Sequence, residues 1–230
     1  MREVAEDADR HPGSHMSDLV EHADNMQDHW WWRPGWRVGR HFHACHFTMS
    51  SHTELVKLAQ LYQQALRPFS GLDLIPTPWL HLTMQGVGFL DVLTEDQVAD
   101  LEHAIRQRLA RVPTPIVTFH RAVVRREAVY LPATPSEPIA SVRNQVRAAI
   151  AEVLGQDHVE LAPGQVGAYR PHVSVAYSNS TQAAGPIVDA VTQVDAPAVT
   201  VVLDHVGLIE FHRDNRMYEW TRDVQIPIGH

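Results

Sequence analysis

The sequence predicts an α+β fold with largely antiparallel sheets. Three amphipathic stretches, with apolar residues at helical spacing, are separated by short runs rich in β-branched and aromatic residues. The elements run β α β β α β and then β α β α β β, without the strict βαβ alternation of a parallel sheet. The 230 residues, 44% of them apolar, suffice for one large domain or two small lobes with a sizeable core.

"RVGRHFHACHFTMS" (37–50) reads as a first strand, from its aromatic and Thr content and its polar end. "TELVKLAQLYQQALRPF" (53–69) places Leu55, Leu58, Leu61, Tyr62, Ala65 and Leu66 on one helical face, with Ser51 or Thr53 as cap and Pro68 as stop. "LDLIP" and "WLHLTMQGVGFL" follow as strands. "TEDQVADLEHAIRQRLARV" (94–112) is a second helix, with Thr94 and Gln97 spaced as a capping box. "PIVTFHRAVV" and "EAVYLPA" read as a strand pair. A third helix over 135–155 is closed by Gly155. A polar loop, the strand "HVSVAY" and a short helix near 186–193 come next. "AVTVVLDHVGLIEFHR" and "MYEWTRDVQIPI" read as two final strands joined by an "RDNR" turn. Residues 1–20 are expected to be a polar tail, flexible or left by a cloning tag, since "GSHM" at 13–16 resembles such a scar.

The formal net charge is -8, and Lys57 is the one lysine among 19 basic residues. An acidic balance disfavours grip on a long phosphate backbone but permits a small phosphorylated ligand held by a few arginines. A single cysteine, Cys45, excludes an intrachain disulfide and suits a reducing compartment, so a cytoplasmic location is expected. No apolar run approaches the length of a membrane span, and no membrane partner is expected.

The chemistry-bearing pattern is His-x-Thr/Ser. It occurs as "HLTM" (81–84) and "HVSV" (172–175), 91 residues apart and each on a strand that follows a helix. On a strand, residues i and i+2 share a face, so His81 and Thr83 project together, as do His172 and Ser174. Each pair sets an imidazole that titrates near neutrality beside an uncharged hydroxyl. Two such pairs facing across a cleft supply a base and an acid for in-line attack at phosphorus, and two hydroxyls for the non-bridging oxygens. One pair alone is more often structural.

"HLTM" and "HVSV" resemble the twin signatures of the 2H phosphoesterase superfamily. "HWWWRPGW", "WLHLTMQGVGF", "RPHVSVAYSN" and "RMYEW" are similar to bacterial proteins of its 2'-5' RNA ligase-like branch. The resemblance implies two similar lobes related by a pseudo-two-fold axis, with a cleft between them that takes one motif from each. Residues 21–230 would then form a single bilobal domain. It also implies a metal-independent phosphodiesterase acting on a 2',3'-cyclic or 2'-5' phosphodiester, without a cofactor. His81 and His172 would be the acid–base pair, and Thr83 and Ser174 the phosphoryl grips. Ser174 departs mildly from the more common Thr. The expected partner is a small nucleotide or a short RNA end. The alternatives are a nucleotide or RNA-end binding module without turnover, and a specialised enzyme using the same pair on another substrate.

Gln85 shares the face of His81 and Thr83 by alternation and is a candidate pocket residue. Arg170, Tyr177 and Tyr218 are candidate substrate contacts, each set against a structural reading. Arg213 and Arg216 read as a solvated turn. The third copy, "HFTM" at 46–49, lies within the first half, so His46 stays outside the catalytic pair. "HFHACH" carries His41, His43, Cys45 and His46, but no second cluster completes a metal site. Cys45 reads as a buried structural thiol. The tryptophans at 30–32 and 36 read as an aromatic plug or a stacking wall.

Overall fold

The computed structural model describes residues 21–160 and 169–229; the expected tail and part of the loop before "HVSVAY" lie outside them. The strands are β1 (Asn25–Met26), β2 (Phe42–Thr48), β3 (Leu72–Leu74), β4 (His81–Phe89), β5 (Ile116–Phe119), β6 (Val123–Val124), β7 (Ala128–Thr134), β8 (His172–Ser178), β9 (Gln182–Ala183), β10 (Val199–Val202), β11 (His205–His212) and β12 (Glu219–Pro227). The helices are α1 (Thr53–Leu66), α2 (Glu95–Leu109), α3 (Glu137–Leu154), α4 (Gln156–Glu160) and α5 (Gly185–Thr192).

The main sheet runs β10-β5-β7-β8-β4-β2-β11-β12, with β3 also on β8 and β6 on β7. Every pairing in it is antiparallel. β4 and β8 are its middle strands, and the order reads the same outward from them: β4-β2-β11-β12 on one side, β8-β7-β5-β10 on the other. This is the two-lobed α+β architecture. The lobes are not the sequence halves. β11 and β12 from the chain's end complete the lobe of β2 and β4. α3, which follows β7, packs on β4, and α1, which follows β2, packs on β8.

That interleaving corrects one expected strand. "AVTVVLDHVGLIEFHR" divides at Leu203 and Asp204. β10 pairs with β5 in one lobe, whereas β11 pairs with β2 and β12 in the other. The alternating β-branched run marks strand conformation but does not encode a change of partner. "PIVTFHRAVV" likewise breaks into β5 and β6, and part of the expected polar loop forms α4. The N-cap of α1 is His52, which makes no side-chain cap bond, in place of the expected Ser51 or Thr53. The Thr94–Gln97 capping box forms as expected, and Gly155 ends α3 at φ 98°.

The helix-facing residues of both lobes form one core, with Tyr62, Phe47, Leu55, Leu82, Met84, Ile105, Ile139, Val146, Val173 and Val175 nearly inaccessible. A smaller cluster of Ala44, Ile209 and Phe211 lies apart from it, with Trp36, Phe42, Tyr218 and Trp220 packed against it. No helix of the described residues is long and apolar enough to cross a membrane.

Candidate active site

The two motif strands meet at one register pair, Leu82 with Val173. Both residues are fully buried, so they face the core. The antiparallel register then sets His81 beside Ser174 and Thr83 beside His172 on the other face. The two histidines sit on a diagonal, a spacing of roughly 7–8 Å between Cα atoms in an ordinary antiparallel pair. β4 and β8, strands of nine and seven residues, share this one pairing. The motif residues on the face away from the core border the candidate groove.

Both imidazoles are held the same way. His81 Nδ1 lies 2.8 Å from the Trp79 carbonyl, and His172 Nδ1 lies 2.8 Å from the Arg170 carbonyl. A carbonyl only accepts, so Nδ1 carries the proton in each ring and the neutral imidazole keeps a bare Nε2. A ring from the neighbouring strand stacks on each. His46 of β2 lies against His81 at 4.8 Å and 12°, and Tyr130 of β7 against His172 at 4.2 Å and 29°. The register makes these two equivalent, since His46 pairs with Thr83 and Tyr130 with Ser174. His46 is therefore a neighbour of the site although it stands outside the pair.

Each motif strand carries a bulge three residues after its histidine. Cys45 and His46 pair with Gln85 and Thr83, which leaves Met84 extra; Val129 and Tyr130 pair with Ala176 and Ser174, which leaves Val175 extra. A bulge inverts the alternation beyond it, and this corrects the expectation for Gln85. Its side chain turns to the helices, where Oε1 accepts from Arg147 at 2.9 Å and Nε2 donates to the Val159 carbonyl at 3.3 Å. It lines the α3 and α4 contact instead of the groove.

The other candidates are placed as follows. Thr83 is exposed and Ser174 is buried. Arg170 is exposed, and its carbonyl orients His172. The Tyr177 ring is buried and stacks on His29 at 4.3 Å and 13°. Tyr218 is half-buried, and its ring meets that of His81 edge-on at 5.9 Å. Arg213 overturns its solvated-turn reading. It is 5% exposed among the rings of Trp30, Trp36 and Tyr218, and its Nη2 donates to the His29 carbonyl at 3.3 Å. Arg216 is exposed, at φ 53°.

Sequence reasoning missed His29, Glu127, Tyr130, Trp220 and Arg125. Trp220 meets His81 edge-on at 5.6 Å, and Arg125 Nε donates to the Tyr130 hydroxyl at 3.2 Å. None of these belongs to a spaced motif; strand pairing alone brings them in.

Burial holds the site histidines neutral. It pushes His81 down to about 4, aided by the nearby His172 and His29, against the Trp79 hydrogen bond. Burial lowers His172 too, and Arg125 adds to the effect. His46 falls well below its ordinary value for the same reason, with His81 second. Cys45 is fully buried on the opposite face of β2, and burial pushes its thiol up to about 12. Among the described residues, no three His, Cys, Asp or Glu side chains converge as a metal site.

The family model of the 2'-5' RNA ligase superfamily matches residues 56–215, a span that holds both motifs. The chain belongs to the 2'-5' RNA ligase superfamily, the 2H phosphoesterases. Among solved structures it is similar to TT0787 of Thermus thermophilus, at TM-score 0.58 and 20% identity over 83% of this chain and 100% of the other. It is also similar to E. coli LigT complexed with NADP+ (TM-score 0.53, 13% identity, 83% and 99% covered). A further match is LigT complexed with 3'-AMP (TM-score 0.53, 12% identity, 81% and 98% covered). These likenesses concern the fold. No curated protein matches the chain.

Proposed function

We propose that this 2H phosphoesterase is a metal-independent phosphodiesterase for a small 2',3'-cyclic or 2'-5' phosphodiester, with His81 and His172 as its acid–base pair. The observation that carries this reading is the matched Nδ1 anchoring of the two imidazoles, which leaves both Nε2 atoms for the groove. In a singly protonated pair, one Nε2 takes the proton of the attacking oxygen while the other gives its proton to the leaving oxygen. The pentavalent phosphorus gathers charge on its non-bridging oxygens, and in this reading the Thr83 and Ser174 hydroxyls donate to them, Ser174 by turning from its contact with Tyr177. Burial disfavours the imidazolium in the free protein, and the substrate's anionic phosphoryl group offsets that penalty once bound. That LigT is described with 3'-AMP and NADP+ supports a nucleotide-sized ligand. A substrate of that size also fits the net charge of -8.

The test is product analysis on 2',3'-cyclic nucleotides and 2'-5' dinucleotides in EDTA. Turnover that survives chelation, giving a 2'- or 3'-phosphomonoester, is the expected result. Activity lost in EDTA and restored by a divalent cation overturns the mechanism. Binding without turnover overturns the enzyme reading.

A further inference from the structure

His29, itself buried, stands in a half-buried chain of polar groups that ends at the site. Its Nδ1 is 3.1 Å from Glu127 Oε2, and its Nε2 is 2.9 Å from the Tyr218 hydroxyl. Gln27 Nε2 also donates to Glu127 at 2.9 Å, and Arg33 lies 3.5 Å from the same carboxylate. These partners hold the Glu127 carboxyl down to about 2, so it is ionised and only accepts. His29 Nδ1 must therefore donate to it. In a neutral imidazole Nε2 then accepts, and the Tyr218 hydroxyl spends its one proton on His29. What remains on the Tyr218 oxygen is a lone pair.

Other groups facing His29 bear on its charge. Arg33 and Arg213 oppose a proton there, Glu127 favours one, and burial of the ring outweighs Glu127. Tyr177 stacks on the ring and Trp30 meets it edge-on, so water is kept away. Tyr218 in turn lies edge-on to His81. His29 and Tyr218 both lie outside the span 56–215 that the family model matches.

We propose that His29, oriented by Glu127, is a positioning residue that makes Tyr218 a hydrogen-bond acceptor for a substrate hydroxyl beside His81. The proposal rests on the phosphoesterase reading of the groove. It deepens it by assigning recognition of a sugar hydroxyl next to the phosphate, a group that a deoxy analogue lacks. A site that hydrogen-bonds a substrate hydroxyl rejects the analogue without it, because its own polar group is left unpaired.

Two measurements on the full chain test this. In the first, histidine is labelled with 15N and the His29 signals are assigned by their loss in His29→Phe. The expected spectrum shows a neutral ring protonated at Nδ1 at pH 7 to 8, with an Nε2 shift that moves in Tyr218→Phe. A ring protonated at Nε2, or one unmoved by Tyr218→Phe, overturns the relay.

In the second, calorimetry compares adenosine 3'-monophosphate with its 2'-deoxy analogue. The wild type is expected to prefer the ribose form by about tenfold, the net worth of one hydrogen bond. Tyr218→Phe and His29→Phe should each reduce that preference to within about twofold, and the double variant no further. His29→Gln, whose amide can donate to Glu127 and accept from Tyr218, should keep most of it. A preference that survives Tyr218→Phe overturns the acceptor role, and one that survives His29→Phe overturns the positioning role. Binding of neither probe by the wild type overturns the hydroxyl assignment and counts against the phosphoesterase reading. The histidine spectrum still decides the relay separately.

Discussion

Leu82 pairs with Val173, and that pairing sets His81 beside Ser174 and Thr83 beside His172. Local two-fold symmetry is intrinsic to an antiparallel pair, so two like motifs brought into this register present their imidazoles in equivalent settings, as the proposed acid–base pair requires. The same symmetry repeats in the carbonyl anchors, the stacked rings of His46 and Tyr130, and the bulges at Met84 and Val175.

The pH profile follows from the environment of the pair. In the proposed mechanism the active form carries one proton shared between His81 and His172, so the two titrate as a unit. In the free protein His81 is down to about 4 and His172 lies below its ordinary 6.5. The profile of kcat/KM should therefore be a bell with its maximum between about 4 and 6.5, falling as pH rises through 6.5. Initial rates from pH 4 to 9 check this, and a maximum above pH 7 contradicts it.

Stability should fall on mild acidification. His29, His46, His81 and His172 all have folded pKa values below 6.5, mainly through burial. Below 6.5 the unfolded chain takes up protons that the folded chain refuses. The difference in bound protons makes stability rise with pH through this window. Thermal unfolding at pH 7.5, 6 and 5 should give a steadily lower Tm; a flat or rising Tm would count against neutral buried rings. Glu127, with its pKa lowered to about 2, loses its own contribution only further down, below the ordinary carboxylate range.

Gln85→Ala separates a structural role from a pocket role. The substitution removes the side-chain acceptor that Arg147 and Arg143 share and one of the donors to the Val159 carbonyl, which keeps Arg147 at 3.4 Å. It should cost about 1–3 kcal/mol of stability and leave KM within twofold. Denaturant unfolding beside steady-state kinetics reads both, and a KM raised tenfold at unchanged stability would return Gln85 to the groove.

Cys45 should be inert in the folded protein. Its thiol is fully buried and pushed up to about 12. A thiol reagent at pH 8 should label it only after denaturation, with activity unaffected before that. Rapid labelling with loss of activity would make it a nucleophile.

The paired motif is legible in the sequence because its chemistry is local: His-x-Thr/Ser on a strand projects two groups from one face. The helices are legible through their apolar spacing, and α2 through its capping box. Alternation misplaces Gln85 because a bulge leaves no mark on the hydrophobic pattern. The split at Leu203 and Asp204 escapes the sequence because strand periodicity does not name a partner. Arg213 looks solvated in "RDNR", yet the tryptophans that enclose it lie some 180 residues earlier in the chain. His29, Glu127 and Tyr218 join only through tertiary contact.

The central claim is that His81 and His172 act together as acid and base. The most direct measurement is kcat/KM in EDTA, on whichever cyclic or 2'-5' ester the wild type turns over, for His81→Ala, His172→Ala and the double variant. Each single change should lower kcat/KM by roughly 10²–10⁴-fold, and the double variant should be little worse than either single one, as groups that act as a unit are non-additive. Far-ultraviolet circular dichroism should show all three folded. A single variant that keeps near-wild-type turnover would contradict the paired mechanism.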